Sequence, residues 1–448
     1  MSSSKTSAAF KAPKYDQPIN FQDLARVNKS FRDCLASNHG VLNFKNAEHL
    51  RCLTKALLLR DFKLQLYLPE NRLCPPVPIR WLYVQWVQSL LDSTAPNAVP
   101  SAGIVGLDIG VGASCIYPLL ACASSPKWCM YGTEIDDTNY QHAIHNVSAN
   151  LLDSRINLLK TDPQGPLIPL DVLGVEMLDF TMCNPPFFAT REEADSTFLK
   201  GQQPYAACTG ADVEMITEGG EVAYVKRIIA ESVQLKDKVR WYTVQLGKLS
   251  SLQTLVPELK KSGCHNWAVS VLQPSGHTVR WVLGWSWMSW RAPDHVGRHK
   301  SLVGTHLQME PNELVVCDAL DKDAFSVIME LLKGLPLSVA IIKDFDDKNA
   351  SNTRAIRICT NSSVWSRSER RKRQRAKQLA KEDEDAALEN DVIQREEFTT
   401  WITIEIKKAF DNVSGTASSA VKARWLKGDD RSMFESFCGM LKTRISSK

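Results

Sequence analysis

Apolar and polar positions along this chain recur with two different spacings. Between residues 102 and 290, short apolar runs alternate with segments whose apolar residues recur at helical spacing. The runs predict seven strands, which begin near residues 103, 128, 155, 178, 240, 266 and 278. Only the short turn PSGH separates the last two, so these predict an antiparallel hairpin. The pattern predicts an α/β domain with a mainly parallel seven-stranded sheet that ends in this hairpin.

The pattern changes on either side of this middle region. Residues 1–20 are polar and contain lysines, and they predict a mobile basic arm. Amphipathic segments at 21–35, 47–62 and 80–92 predict three helices that extend the sheet domain, which we bound at 21–290. Residues 291–311 lack periodicity and predict a linker. Over 312–448, helix-like runs and the strand-like runs ELVVCD, LSVAIIKDF, TRAIRICT and FTTWITIEIKKAF predict a second, small α+β domain.

Composition narrows the class of protein. The 448 residues exceed what one core usually holds, and 44% hydrophobic with 23% charged residues is typical of a soluble globular protein. The formal charge of +4 is too small to identify a nucleic-acid ligand by itself. The twelve cysteines lack C-x-x-C spacing, and we find neither a secretory signal nor about 18 uninterrupted apolar residues. We expect an intracellular protein with free thiols and no membrane partner.

A glycine-containing turn follows the first predicted strand. Its residues include Asp108, Gly110, Gly112 and Ser114, and a helical segment comes directly after. Glycine lets a backbone bend sharply and approach a ligand closely. The full dinucleotide fingerprint is missing, because Ser114 and Cys115 stand where its last glycine would lie. We interpret the turn as a Rossmann-like site for the amino-acid part of S-adenosylmethionine; a tight turn that binds no ligand is the alternative.

Glu134 ends the second predicted strand. In dinucleotide-binding folds a carboxylate at this position accepts hydrogen bonds from the ribose hydroxyls. A solvated acid that faces a helix N-terminus is the alternative interpretation. The glycine turn lies one strand upstream, which favours cofactor binding by Glu134.

The fourth predicted strand ends in Asn184, Pro185, Pro186 and Phe187. Two successive prolines fix the backbone and lack amide hydrogens, so this turn is rigid. A rigid turn can aim the Asn184 amide oxygen and the Pro185 carbonyl at the two hydrogens of an exocyclic amine, while Phe187 stacks on the base. We predict methyl transfer to a planar nitrogen, with these four residues as its catalytic set and Asn184 also beside the cofactor. A proline-rich loop without chemistry is the alternative.

Longer segments of the chain resemble one known family. DIGVGASCIYPLL at 108–120, NPPFF at 184–188 and TEGGEVAYVKRII at 217–229 are similar to the methyltransferase-like protein 16 family. The resemblance extends from about residue 15 to 287. Members are adenine-N6 methyltransferases of U6 small nuclear RNA. The resemblance therefore implies a class I methyltransferase fold, S-adenosyl-L-methionine as cofactor and N6-methyladenosine in RNA as product.

The resemblance also implies roles for residues outside the three segments. Arg80 matches an arginine that pairs with the cofactor carboxylate, and Lys45 matches a lysine on a loop that gates the cofactor site. Surface cations are the alternative for both. Thr209 and Gly210 match the family's substrate-side loop, and with Lys45 they are predicted RNA contacts. Arg280 either supports the site from the hairpin or forms a structural ion pair.

One departure from the family moves the expected RNA contacts elsewhere. The substrate-side loop is usually arginine-rich, whereas residues 191–208 are acid-leaning. The N-terminal arm and a basic run over 367–381 in the second domain offer the cations that this loop lacks. A solvated helix or a nuclear localisation signal would explain the same run. We predict RNA contacts by five of its residues: Arg370, Arg371, Lys372, Arg373 and Arg375.

The leading hypothesis from the sequence is an RNA adenine-N6 methyltransferase acting on U6 small nuclear RNA or another structured RNA. A ribosomal RNA methylase, a protein-glutamine methyltransferase and a non-catalytic RNA-binding protein on the same scaffold are the alternatives. His142 and His145 have helical spacing but no cysteine or carboxylate set around them, so we expect no metal. We expect a nuclear protein, with the cytoplasm as the second compartment.

Overall fold

The computed structural model describes residues 10–94, 103–199, 210–275, 278–320, 323–343, 353–382, 398–410 and 417–446. The chain divides into two compact units. Unit 1 comprises residues 1–288 and 296–309, and unit 2 comprises residues 289–295 and 310–448. Within the described ranges, none of the helices has the length and apolar character needed to cross a membrane.

The secondary structure of unit 1 alternates as the sequence predicts. Its helices are α1 (Phe21–Val27), α2 (Lys29–Ala36), α3 (Ala47–Leu57), α4 (Val77–Ser93), α5 (Ile116–Ser124), α6 (Asp137–Ala149), α7 (Leu170–Leu173), α8 (Arg191–Leu199), α9 (Asp212–Met215), α10 (Gly220–Leu235) and α11 (Leu249–Lys261). Its strands are β1 (Ile104–Ile109), β2 (Trp128–Glu134), β3 (Ile156–Lys160), β4 (Leu178–Cys183), β5 (Val239–Leu246), β6 (Trp267–Leu272) and β7 (Arg280–Trp285).

These strands form one sheet in the order β3-β2-β1-β4-β5-β7-β6. β1 to β5 pair in parallel, and β7 pairs antiparallel with both β5 and β6. The predicted α/β class, the seven strands and the antiparallel end are confirmed. The strand order reverses between β1 and β4, and ligands of open α/β sheets bind at such a switch point.

Apolar spacing explains how helices cover the sheet. α10 buries Val225, Ile228, Ile229 and Ser232, which are three or four residues apart and so lie on one side of the helix. The first three join a core with β5 and α11. α4 is buried along most of its length, and it begins directly after Pro76, where a proline near the first turn costs no hydrogen bond. This helix carries Arg80 into the interior.

Two predicted helices are interrupted. Asn28 ends α1 and begins α2, because its side chain accepts a hydrogen bond from the Phe31 amide at 2.9 Å. After α3, the chain continues as a π-helical turn over Leu58–Phe62 and ends at Lys63 with φ 60°. Apolar spacing continues through both points, so periodicity does not reveal them.

The described part of the predicted mobile arm is packed. The Tyr15 side chain is 3% exposed, and its hydroxyl donates to Asp61 at 2.6 Å. Phe10 stacks on Phe62 with ring centroids 5.9 Å apart, and the Trp81 indole donates to the Pro13 carbonyl at 3.0 Å. Residues 10–20 therefore differ from the prediction. Two aromatic side chains anchor a segment whose overall polarity suggested mobility.

Unit 2 is an α+β unit, as predicted, with one strand more than its sequence pattern indicated. Its elements are β8 (Glu313–Leu320), α13 (Ala324–Lys333), β9 (Ser338–Lys343), β10 (Thr353–Thr360), α14 (Arg367–Glu382), β11 (Thr400–Phe410), β12 (Ala417–Lys427) and α15 (Arg431–Ser446). The sheet order is β8-β12-β11-β10-β9, with antiparallel pairing throughout. The unpredicted strand is β12, which carries Val421, Ala423 and Trp425 into the core.

Residues 291–311, predicted as a linker, contain ordered structure. α12 (Asp294–Gly297) and a 3₁₀ turn at 300–302 lie within them. Leu302 and Leu307 are each 2% exposed and belong to the core of unit 1. In unit 2, the Arg291 guanidinium donates to the Gly428 carbonyl at 2.9 Å. Single apolar side chains at non-periodic positions thus pack this segment into the structure, which is why the sequence pattern did not reveal it.

The packing of Tyr15 gives a stability prediction. Tyr15→Ala removes a buried ring and the hydrogen bond to Asp61, and we expect a loss of about 3 kcal/mol in unfolding free energy. Urea denaturation of the full chain measures this loss. The neighbouring exposed Lys14→Ala should change stability by less than about 0.5 kcal/mol. Equal stability of the two variants would restore the mobile-arm interpretation.

Candidate active site

Three strands of the sheet end in one row. Ile109 of β1 is aligned with Thr133 of β2 on one side and with Cys183 of β4 on the other. The glycine turn, Glu134 and the NPPF turn follow these three residues directly. Parallel pairing therefore brings three of the predicted site segments to the same edge of the sheet.

The glycine turn depends on left-handed backbone conformations. φ is 76° at Gly110 and 61° at Gly112, values that other residues adopt at a cost. The Gly110 amide donates to the Thr133 carbonyl at 3.0 Å, and the Gly112 amide donates to Glu134 Oε2 at 2.8 Å. Ser114 follows, 6% exposed, just before α5. The turn is thus tied to the end of β2.

Glu134 is buried, with 5% of its surface exposed. Its Oε1 accepts from the backbone amides of Ile135 and Asp136 at 2.8 and 2.9 Å, while Oε2 accepts from Gly112. Burial raises the pKa of its carboxyl, and these three amides oppose that shift. A carboxylate oxygen accepts about two hydrogen bonds, so Oε2 can accept one from a ribose hydroxyl. Ile135 lies beside it with 39% of its surface exposed, an apolar contact for a base.

Asp108 carries a buried carboxylate with unsatisfied oxygens. The residue is fully buried, and neither oxygen has a hydrogen-bond partner in the described part of the chain. Burial raises the pKa of Asp108 well above its usual value, the nearby Arg80 guanidinium opposes this, and Glu134 adds to it. An isolated buried carboxylate is costly, so this position favours a cationic ligand.

The NPPF turn is held by the segment that follows α9. The Phe188 amide donates to the Met215 carbonyl, and the Thr217 amide donates to the Phe188 carbonyl, each at 3.0 Å. At Gly220, where φ is 64°, an added Cβ would lie 3.5 Å from the Phe187 carbonyl oxygen. The start of α10 can therefore approach the turn closely, which restricts the backbone of the catalytic set.

Asn184 is joined to Arg80, although 104 positions separate them in sequence. Arg80 is 4% exposed, and its Nη1 donates to Asn184 Oδ1 at 2.8 Å and to the Tyr117 hydroxyl at 2.7 Å. Gln245 Nε2 also donates to Asn184 Oδ1, at 2.7 Å. Arg80 Nε is buried without a partner among the described residues. The surface-cation alternative for Arg80 is excluded.

Phe187 lies beside a cation of the hairpin. The Arg280 guanidinium carbon is 6.0 Å from the Phe187 ring centroid, and its Nη1 donates to the Val279 carbonyl. Burial lowers the pKa of Arg280, and repulsion from Arg80 adds to this effect. In the described ranges no ion pair involves Arg280, and its guanidinium faces Phe187 of the NPPF turn.

Three further site residues were missed from the sequence. Tyr117 lies inside the family-like segment, but its helical spacing suggested only core packing. Gln245 is a single polar residue in an apolar strand, 1% exposed, and that contrast was the available signal. Glu214 accepts from the Leu73 and Ala211 amides at 2.8 and 2.9 Å. Its second oxygen lies 3.5 Å from where a Cβ at Gly112 would be, so it faces the glycine turn.

The remaining predicted RNA contacts of unit 1 lie away from the buried groups of the site. Lys45 is exposed, in the loop before α3, where its amide donates to Asn43. Gly210 packs against Met215, whose Cγ would be 2.7 Å from an added Cβ. Thr209 lies outside the described residues. Arg191, at the start of the acid-leaning loop, pairs with Asp212 at 2.5 Å, so acids already neutralise this cation.

The predicted basic residues of unit 2 lie on α14. Of the five, four are exposed: Arg370, Arg371, Lys372 and Arg375. Arg373 instead donates to the Val364 carbonyl and holds the helix against its own unit. The preceding Trp365 packs on Phe437 of α15 with ring centroids 5.0 Å apart. α14 thus presents four exposed cations and is anchored to its own unit at its start.

The buried groups at the edge of the sheet fit S-adenosylmethionine. Its methionine part carries an ammonium and a carboxylate, and the edge offers the unpartnered Asp108 carboxylate and the unpartnered Arg80 Nε. Glu134 keeps an acceptor for the ribose, and glycine permits close approach of the turn. Complementary charges are thus in place for a zwitterion.

Comparisons with known proteins agree with this fit. A sequence model of a family described as RNA methyltransferase matches residues 4–289. The U6 small nuclear RNA (adenine-(43)-N(6))-methyltransferase of Schizosaccharomyces pombe is 33% identical over 407 residues, covering 90% of this chain and 94% of that protein. The human RNA N(6)-adenosine-methyltransferase METTL16 is 40% identical over 280 residues, covering 60% of this chain and 49% of its own. The chain thus spans about half the length of the vertebrate relatives.

Solved structures show the same similarity. The human METTL16 catalytic domain in complex with a MAT2A 3′UTR hairpin has a TM-score of 0.55 and 39% identity, covering 61% of this chain and 92% of that one. The N-terminal domain of human METTL16 in complex with SAH has a TM-score of 0.50 and 36% identity, covering 61% and 95%.

The unpartnered Asp108 carboxylate predicts proton-linked cofactor binding. At pH values below its raised pKa the carboxyl is protonated and neutral, whereas a cationic ligand favours the ionised form. Binding of S-adenosylhomocysteine should therefore release a proton and tighten as the pH rises. Calorimetry in buffers of different ionisation enthalpy measures this release.

Asp108→Asn should weaken the same binding about 10- to 100-fold and abolish its pH dependence. Asp171→Asn, an exposed acid-to-amide change in α7, is the control and should bind as the wild type does. Unchanged proton release in Asp108→Asn would assign the linkage to another group.

Proposed function

The chain belongs to the RNA methyltransferase family whose model spans residues 4–289, and from this we propose that it transfers a methyl group from S-adenosylmethionine to the N6 amine of an adenine in U6 small nuclear RNA. The predicted family, cofactor and reaction class are confirmed by the relatives that match it. The choice of U6 RNA rests on the fission yeast relative, which matches 90% of this chain.

One observation carries the reaction. The NPPF turn ends β4 directly beside β1, so that Asn184 and the buried Asp108–Arg80 pair of charges share one site. A base captured by the turn would lie next to a cofactor held by the glycine turn. No other part of the described chain combines a rigid acceptor turn with unpartnered buried charges.

The reaction needs positioning more than acid–base catalysis. S-adenosylmethionine would supply an electrophilic methyl group on a sulfonium: the sulfur–methyl bond breaks as the nitrogen–methyl bond forms, S-adenosylhomocysteine leaves, and the methylated amine, which is acidic at that stage, releases one proton to solvent. The adenine amine is a poor nucleophile because its lone pair is delocalised into the ring, and acceptors at Asn184 and Pro185 draw its hydrogens and localise that pair. Phe187, with the Arg280 cation at its ring, offers a stacking surface for the base. The site thus acts through orientation and preorganised dipoles.

Asn184→Ala should separate turnover from cofactor binding. We expect kcat for methyl transfer to fall at least about 100-fold, because one preorganised acceptor is removed, while the affinity for S-adenosylhomocysteine stays within about threefold. Labelled methyl transfer to U6 RNA and to a ribosomal RNA fragment, followed by nucleoside analysis, measures the product. Asn157→Ala, at an exposed position of β3, is the matched control.

The outcomes of that assay distinguish the candidate functions. N6-methyladenosine in U6 RNA supports the proposal, and label only in the ribosomal fragment would move the substrate there. Label in protein would indicate glutamine methylation instead. Cofactor binding without transfer to any acceptor would support a non-catalytic RNA-binding role.

We infer that unit 2 supplies much of the RNA affinity. Arg191 of unit 1 is paired with acids, whereas α14 exposes four cations between positions 370 and 375. Phosphate contacts release counterions, so they weaken steeply with salt. The same basic run would serve as a nuclear localisation signal, and we propose a nuclear location that fusion of this segment to a reporter protein would test.

Neutralising α14 should weaken RNA binding and reduce its salt dependence. We expect the variant with glutamine at Arg370, Arg371, Lys372 and Arg375 to lower the slope of log affinity against log salt by about 0.7–0.9 for each phosphate that is no longer neutralised. Arg373 is left intact because it anchors the helix. The control carries glutamine at four exposed lysines of unit 1: Lys127, Lys238, Lys261 and Lys300. An equal decrease in both variants would exclude a specific role for α14.

A further inference from the structure

Three buried side chains and the half-buried Asn184 form a closed ring of hydrogen bonds. Arg80 Nη1 donates to the Tyr117 hydroxyl at 2.7 Å and to Asn184 Oδ1 at 2.8 Å. The Tyr117 hydroxyl donates to Gln245 Oε1 at 3.3 Å, and Gln245 Nε2 donates to Asn184 Oδ1 at 2.7 Å. Three of the four members, Arg80, Tyr117 and Gln245, belong to neither the glycine turn nor the NPPF turn.

The chemistry of the ring fixes the direction of every bond. A guanidinium can only donate, so the Asn184 atom that faces Arg80 is the oxygen. Since this oxygen can only accept, the Gln245 atom that faces it is the amide nitrogen. The Gln245 amide oxygen then faces Tyr117, whose hydroxyl accepts from Arg80 and donates its single hydrogen to Gln245. Gln245, 1% exposed, is thus locked in the orientation that donates.

These hydrogen bonds occupy the Asn184 oxygen that would have to accept a hydrogen bond from the adenine amine. An amide oxygen has two lone pairs, and Asn184 Oδ1 already accepts two hydrogen bonds. A hydrogen of the adenine amine would be a third donor at the same atom. One of the two present donors must therefore leave before the amine can bind productively.

We propose that Arg80 and the adenine amine compete for Asn184 Oδ1, that the cofactor carboxylate draws Arg80 away, and that Gln245 is the positioning residue that holds this oxygen for the amine. The inference rests on the proposed function and deepens it. It makes capture of the base depend on a cofactor that carries the carboxylate.

Arg80 is the member of the ring suited to leave. It is charged, its Nε lacks a partner within the described residues, and a guanidinium bonds a carboxylate more strongly than it bonds a neutral amide. Gln245 is suited to stay, since it sits at the end of β5 with its other amide atom bonded to Tyr117. After exchange, Asn184 Oδ1 keeps one donor and offers its second lone pair to the amine.

Binding measurements on the wild-type chain test the exchange without turnover. The probe is U6 RNA carrying either adenosine or purine riboside at the methylated position; purine riboside lacks only the amine. Affinity is measured with saturating S-adenosylhomocysteine or with saturating decarboxylated S-adenosylhomocysteine, which keeps the ammonium and lacks only the carboxylate. We expect the preference for adenosine to be about three- to tenfold greater with S-adenosylhomocysteine. Equal preferences with both ligands would overturn the competition between Arg80 and the amine.

Variants of Gln245 test its positioning role. Gln245→Met should lower kcat about three- to tenfold and leave the KM for S-adenosylmethionine unchanged, whereas Gln253→Met, at an exposed site of α11, should match the wild type. Gln245→Glu can donate to Asn184 only when protonated. Its rate relative to the wild type should therefore rise as the pH falls, while the relative rate of Gln245→Met stays constant.

These outcomes separate two kinds of failure. A wild-type chain that methylates no RNA would overturn the proposed function. A wild-type chain that methylates U6 RNA, with Gln245→Met at full kcat and Gln245→Glu without pH dependence, would overturn only the role of Gln245.

Discussion

The site depends on the parallel pairing of β1 with a strand on each side. Because Ile109 is aligned with both Thr133 and Cys183, the three chain segments that follow leave the sheet in one row. A shift of one residue in either register would reverse which face each side chain points to and separate Glu134 or Asn184 from the glycine turn. The hydrophobic core on both faces of the sheet makes such a shift costly, so packing far from the site maintains its geometry.

The chemistry of the site at these strand ends comes from the burial of two charged side chains. Asp108 and Arg80 are placed where water does not solvate them, and each keeps an atom without a partner in the described part of the chain. Their mutual attraction offsets only part of the desolvation cost, because Arg80 is directed to Tyr117 and Asn184 instead. Such a pair is poorly suited to stabilising the fold and well suited to a zwitterionic ligand. The same Arg80 thus connects the cofactor side of the site to the acceptor side.

Local patterns predicted the strands, the glycine turn, Glu134 and the NPPF turn, because each consists of neighbouring residues with distinctive backbone demands. The ring around Asn184 could not be predicted, since α4 must pack on the sheet before Arg80 meets a residue 104 positions away. β12 was missed although Val421, Ala423 and Trp425 alternate with polar residues, because alanine and serine dilute its apolar signal. Residues 10–20 were misjudged because Phe10 and Tyr15 carry the packing of an otherwise polar stretch.

Under the proposed function, electrostatics separates catalysis from affinity in this chain. Among the described residues near the NPPF turn, Arg191 pairs with Asp212 and Lys248 pairs with Glu193. Matched charges attract phosphates weakly, so selection of the adenine there must come from stacking and amine recognition, which are short-range. The exposed cations of α14 act over about a Debye length and do not read sequence. A change in ionic strength would then alter how much RNA is bound far more than which adenine is methylated.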